Sequence, residues 1–323
     1  MRSTGAASAR ALLAFGGLCV ALASGCNGDD DPTTRSGGSP TPGNGGALAW
    51  AVPATPGSID PLLASARADQ LVTRQIYEPL VATVSGPFGD VRRLPGLALS
   101  SSPSAGATIW SFRLRAGVRF QDGSPFNAGA VLANGRRWIT TSEGQAVMPD
   151  LFAVDAPRPD LVRFFLRAPD PGFPQRLEAP QTGIVSPRAL DVPSGEGAQL
   201  RREGRSGTGP FELRERSLEE VLLARSSVWW GAERDLGPTL DQVLFRRVPD
   251  PQERLALLGE GDVQIADALG PAQVRAARGQ PLLDVLPGSG GTSVGLERSV
   301  RGIDSAGEIP SLAGVWLTRI GGR

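Results

Sequence analysis

Ser293 sits in Gly291-Thr292-Ser293-Val294-Gly295. This is the G-x-S-x-G spacing that, on a strand–turn–helix, raises a serine for nucleophilic attack. Such a serine needs a base to take its proton, usually histidine, and the chain has 0 histidines. Lysine is missing too, because all 33 basic residues are arginine. Together these absences exclude Ser-His-Asp chemistry, histidine metal sites, the phosphate-reaching lysine of a P-loop and Schiff-base catalysis. Gly288-Ser289-Gly290-Gly291 has the glycine content of a phosphate cradle, but no clear helical pattern follows to supply the N–H groups. Glu219 and Glu220 are adjacent, so in a strand they face opposite sides and make no acid–base pair. Asp29-Asp30-Asp31 resembles a calcium cluster in composition only; in a segment this polar it reads as solvated charge. No catalytic residue, metal ligand or cofactor is expected, and the chain reads as a non-enzyme. The 33 acidic residues balance the basic ones, so nothing points to nucleic acid.

The cysteines carry different chemistry. Arg2 and Arg10 give a positive start, and Ala11 to Ala23 then run uncharged through Leu12, Leu13, Phe15, Leu18, Val20 and Leu22. Small residues lead into Cys26. This order of basic, apolar and small residues is that of a cleavable export signal, and the apolar run is shorter than the roughly 20 residues of a spanning helix. Ala23-Ser24-Gly25-Cys26 resembles the lipobox of bacterial lipoproteins, except that Ala23 stands where Leu is usual. The resemblance implies cleavage before Cys26 and acylation of its sulfur, which anchors the chain to the membrane. Cys19 falls in the discarded part, so no disulfide is expected. Residues 27–46 are Gly, Pro, Ser, Thr, Asn and Asp almost throughout, too polar to fold, and read as a disordered tether.

The elements that follow are legible in pieces. Ala47 to Val52 is a first strand ending at Pro53, and Thr55-Pro56-Gly57-Ser58 is a turn. Asp69 to Tyr77 has helical spacing. Ile109 to Leu114 alternates as a half-buried strand, and Asp122-Gly123 is a turn. Asn127 caps a helix running to about Trp138. Leu161 to Leu166 is a strand, Val185 to Gly209 is loop-rich, and Phe211–Glu215 with Glu220–Arg225 is a strand pair. Leu240 to Val248 is a strand. A helix from Gln252 to Leu258 stops at Gly259, a short strand spans Val263 to Ala266, and a helix spans Pro271 to Arg278. Strands dominate with helices between them, which gives an α/β class with mixed sheets.

Three stretches resemble the extracellular solute-binding proteins of peptide and nickel ABC importers, the oligopeptide/dipeptide/nickel family 5. One is Ser58-Ile59-Asp60-Pro61-Leu62 with Gln75-Ile76-Tyr77-Glu78-Pro79-Leu80. The second runs from Leu114 to Ala128, through Arg115-Ala116-Gly117-Val118-Arg119-Phe120-Gln121-Asp122-Gly123-Ser124-Pro125-Phe126-Asn127, and is the most specific. The third is Gly207-Thr208-Gly209-Pro210-Phe211, then Trp230-Gly231, Leu240-Asp241 and Leu258 to Val263. The resemblance implies a type II periplasmic-binding-protein-like α/β fold. Its mixed-sheet first lobe covers 47–287 and carries a smaller inserted subdomain at about 91–200. It also implies a monomeric receptor outside the cytoplasm, closing on a peptide or other small solute and docking on a membrane ABC permease.

After Glu297 no family pattern continues, and 288–323 is Gly-rich. The expectation is a C-terminally truncated or frame-shifted homologue, its second lobe largely missing and its binding impaired. A non-transport surface lipoprotein using one lobe as an interaction module is the alternative. For ligand contact the candidates are Thr55 and Ser58, in the loop after the first strand, where α/β clefts bind. Tyr77 and Trp230 are expected to pack rather than bind.

Overall fold

The computed structural model describes residues 46–85, 91–94, 96–191, 205–232, 238, 240–278, 280, 283–288 and 291–296. The export signal, Cys26, nearly all of the tether and the segment after Leu296 lie outside the described residues. The chain runs β1 (Ala47–Val52), α1 (Arg67–Ile76), β2 (Ala82–Ser85), β3 (Val91–Leu94), β4 (Ala98–Pro103) and β5 (Ile109–Leu114). Then come α2 (Ala128–Thr140), α3 (Ser142–Val147), β6 (Leu151–Arg158) and β7 (Leu161–Leu166). The remainder holds β8 (Phe211–Arg216), β9 (Glu220–Arg225), β10 (Gln242–Arg247), α4 (Pro251–Glu260), β11 (Ile265–Ala266), α5 (Pro271–Arg278), β12 (Leu283–Gly288) and β13 (Gly291–Leu296).

Among the described residues a seven-stranded sheet has the order β12-β13-β11-β1-β10-β9-β8. β1 pairs parallel with β10 on one side and β11 on the other, and the remaining pairs are antiparallel. A strand covered on both faces reads as an unbroken apolar run, as Ala47–Val52 does. Leu48, Trp50 and Val52 share a core with Leu71, Val72 and Ile76 of α1. Ala49 and Ala51 face the other way, against Leu255 and Leu258 of α4. Trp50 stacks on Phe245 of β10 at 5.4 Å.

A second, four-stranded sheet is ordered β4-β5-β7-β6. Its inner face is the alternation read in sequence: Trp110, Phe112 and Leu114 from β5, Val162, Phe164 and Leu166 from β7. Trp138 of α2 stacks on Phe164 at 6.3 Å. Asn127 caps α2, its side chain accepting from the N–H groups of Gly129 and Ala130. β2 and β3 form a separate two-stranded ribbon.

The α/β class holds, with corrections at element ends. The helix expected to stop at Gly259 continues to Glu260. Gly259 keeps a helical backbone, and the stop is Gly261, at φ 87°, where its N–H bonds back to Leu257 and Leu258. α1 starts at Arg67, two residues before the expected Asp69. The strand expected over Leu240–Val248 narrows to Gln242–Arg247, and that over Val263–Ala266 to Ile265–Ala266. The loop-rich stretch from Val185 contains a helical turn, Pro187–Leu190. The edge strands β4 and β6 carry weak signals, because one face and one edge of each remain wet. In β4 only Ala98 is buried.

Candidate functional site

Three parallel strands end at one edge of the large sheet. There α1 leaves on one face and α4 lies on the other, the arrangement in which α/β sheets open a ligand crevice. On the β11 side, Arg67 at the start of α1 forks onto Asp267 through Nε at 2.8 Å and Nη2 at 2.7 Å. Asp267 is 1% exposed. Its hydrogen bond raises the Arg67 pKa further, so the guanidinium stays charged. Behind it Arg254 of α4, 2% exposed, donates to four carbonyls. These are Asp267 at 2.9 Å, Val248 at 2.6 Å, Pro249 at 2.8 Å and Ala268 at 2.9 Å. One planar guanidinium thus ties the loops after β10 and β11 together.

On the β10 side lies the loop after β1, which carries Thr55 and Ser58. Asp69 accepts from the N–H groups of Gly57 at 2.8 Å and Ser58 at 3.4 Å, and from Ala66 at the start of α1 at 3.1 Å. Arg216 donates to the carbonyls of Pro56 at 2.7 Å and Gly57 at 3.0 Å. The Thr55 hydroxyl donates to the Leu218 carbonyl at 2.9 Å, and the Ser58 hydroxyl accepts from Asp60 N–H at 3.1 Å. Both candidates are half-buried in the loop after β1. Thr55 already spends its proton on the β8–β9 turn, whereas the Ser58 proton has no partner in these bonds.

The residues that carry the family resemblance meet elsewhere, at a buried junction between the two larger sheets. Glu78 is 0% exposed and accepts the Trp230 indole N–H with both carboxylate oxygens, at 2.9 and 3.0 Å. Arg115 lies over the Trp230 ring, 3.9 Å from its centre. Burial pushes Glu78 up to about 8, against the pull of the Thr208 hydroxyl, the Trp230 indole and the Arg115 charge. The fully buried Tyr77 hydroxyl bonds the Ser206 hydroxyl at 2.9 Å. Gln121 donates from its backbone to Gly207 at 2.9 Å, and from its amide to Gly209 at 3.1 Å and Phe211 at 2.7 Å. The Gly207–Gly209 loop crosses the end of α1 so closely that a Cβ on Gly207 would stand 1.9 Å from the Ile76 carbonyl oxygen. Tyr77, Glu78, Arg115 and Gln121 are buried and Trp230 is partly buried, so these residues hold the scaffold together. Tyr77 and Trp230 pack, as expected of large aromatics.

Ser293 lies in mid-strand, opposite Leu286 in the β12–β13 pair, with strand on both sides in place of an elbow. Gly288 pairs with Gly291 across the same hairpin. Glu219 forms an ion pair with Arg247 at 3.2 Å. Among the described residues no cluster of three His, Cys, Asp or Glu side chains is placed to hold a metal, and no helix is long and apolar enough to cross a membrane. Arg254, Asp267 and Arg216 escaped the sequence reading. A signal for Arg254 existed: with Leu255 and Leu258 it falls on the inward stripe of α4.

A family model described as "Bacterial extracellular solute-binding proteins, family 5 Middle" matches residues 93–300. The chain is 27% identical over 235 residues to the "Probable D,D-dipeptide-binding periplasmic protein DdpA" of Escherichia coli strain K12, covering 72% of this chain and 45% of that protein. To the glutathione-binding protein GsiB of Escherichia coli O6:K15:H31 it is 29% identical, with 65% and 40% covered. The chain thus spans less than half the length of these curated relatives. Its fold matches the ABC transporter-associated periplasmic binding protein DppA of Helicobacter pylori, in complex with peptide STSA, at a TM-score of 0.65. That likeness has 23% identity and covers 75% of this chain and 50% of that one. The chain belongs to the bacterial extracellular solute-binding proteins, family 5.

Proposed function

We propose that this chain is the solute-binding component of an ABC importer, held outside the cytoplasmic membrane by a lipid on Cys26, with short peptides as its cargo. The observation that supports this most directly is the edge where β1, β10 and β11 end together, braced by Arg67–Asp267 and Arg254, in a member of this family. The two curated relatives are named for a D,D-dipeptide and for glutathione, itself a small peptide. Peptides vary in side chain but share a backbone, so a binding site of this kind needs a rigid polar frame with tolerant pockets. A braced edge supplies the frame. The tether of residues 27–46 keeps the receptor within reach of its permease and raises the effective concentration there.

The test is to purify the protein from membranes, extract bound solute and identify it by mass spectrometry, then titrate the emptied protein with the solute found. Co-purifying peptides with micromolar affinity agree with the proposal. A preparation that yields no peptide and gives no heat with a tripeptide library sinks it.

A further inference from the structure

The turn between β8 and β9 combines an immobilised backbone with an exported apolar side chain. Leu218 is 83% exposed, more than any other large hydrophobic among the described residues. Its carbonyl accepts the Thr55 hydroxyl at 2.9 Å. On one side of it, the Ser217 hydroxyl accepts from the N–H groups of Glu219 at 3.1 Å and Glu220 at 2.9 Å. On the other, Glu219 receives the Arg247 backbone N–H at 2.7 Å and its guanidinium at 3.2 Å. Arg216, just before the turn, is fixed to Pro56 and Gly57. Every residue from 216 to 220 is thus tied down. Leu218 buries almost nothing within the described fold.

A side chain held in place but left uncovered has already met most of the ordering cost of a contact, which is what preorganisation means for binding. Its position says which contact. The turn touches the loop after β1, at the carboxyl edge where this fold takes its ligand. Its size narrows the choice further. One leucine flanked by exposed Ser217, Glu219 and Glu220 is far smaller than the roughly 1,000 Å² of a stable protein–protein interface. It suits one side chain of a small solute.

The geometry points to Leu218 as an apolar lip of the ligand cleft that contacts an aliphatic side chain of the bound peptide, with Thr55 as the residue that positions it. This inference rests on the solute-binding reading above. It gives Thr55 a role in holding the lip rather than in touching ligand.

The test titrates the full chain and its L218D variant calorimetrically with trileucine and with trialanine. The wild type is expected to prefer trileucine. Loss of one buried aliphatic contact should reduce that preference about tenfold or more in L218D. Thr55→Val, which frees the turn without touching the leucine, should reduce it in the same direction but less. The melting temperature of L218D should stay within about 2 °C of wild type, as for an exposed site. A wild type that binds, with an L218D preference unchanged, overturns the lip alone. A wild type that binds neither peptide overturns the peptide-binding reading and the lip with it.

Discussion

Glu78 and Trp230 are 152 residues apart in sequence, yet one indole N–H is shared between both oxygens of one buried carboxylate. The contact joins the end of α1 to the segment after β9, and Arg115 brings in the end of β5 by stacking on the same indole. Each of these residues lies in a stretch that first identified the family.

The junction gives stability a pH dependence. Burial holds the Glu78 pKa at about 8, against an ordinary value of 4.5. Between these values the unfolded chain has released its proton while the folded chain keeps it, so stability falls as pH rises. Below about 4.5 both states are protonated and above about 8 both are ionised, so the effect is confined to that window. Glu78→Gln keeps an acceptor for Trp230 and has no proton to lose. Urea midpoints from pH 5 to 8.5 should therefore show the variant gaining on wild type as pH rises; a constant difference would count against a raised pKa.

Gly207→Ala should be among the most damaging single-methyl additions in the chain. The new Cβ meets the Ile76 carbonyl, a helix-terminal backbone atom that cannot rotate away. Overpacking typically costs about 1–3 kcal/mol, and here the upper end or more is expected by urea denaturation. A cost under about 0.5 kcal/mol, the level of an ordinary surface change, would show that the loop moves freely.

Arg254→Lys keeps the charge but not the fork. An ammonium cannot reach four carbonyls arrayed around a planar group, and each buried acceptor left bare costs roughly 1–3 kcal/mol. A loss of at least about 2 kcal/mol is expected, together with faster amide exchange at Val248, Asp250 and residues 267–269. Exchange rates unchanged there would mean that other bonds brace the two loops.

Cys26→Ala should move the protein from the membrane pellet to the soluble extracytoplasmic fraction, and metabolic labelling with palmitate should be lost with it. Retention of the variant in washed membranes would show that something other than this sulfur holds the chain.

Sequence and structure diverge in an ordered way. Elements facing a core on a regular period were legible: Trp110, Phe112 and Leu114 alternate, Leu71, Val72 and Ile76 repeat helically, and both sets are buried. The edge strands β4 and β6 were not, because half of β4 is serine and only Leu151 of β6 is buried. The candidate site was legible only as a location. The loop holding Thr55 and Ser58 follows the first strand and had to lie at its carboxyl end. What fixes that loop comes from Asp69, Arg216 and Leu218, two of them more than 150 residues downstream. No local pattern reports contacts of that range.

The parallel pairing of β1 also sets an order of events. Ala47–Val52 is the first strand to emerge, yet its register partner begins at Gln242, about 195 residues later. Until then its apolar residues have no neighbouring strand, and closing so long a loop comes before any ladder bond is gained. The central strand therefore waits for the late part of the chain. During that wait Leu48, Trp50 and Val52 stay open to solvent, to chaperones and to aggregation.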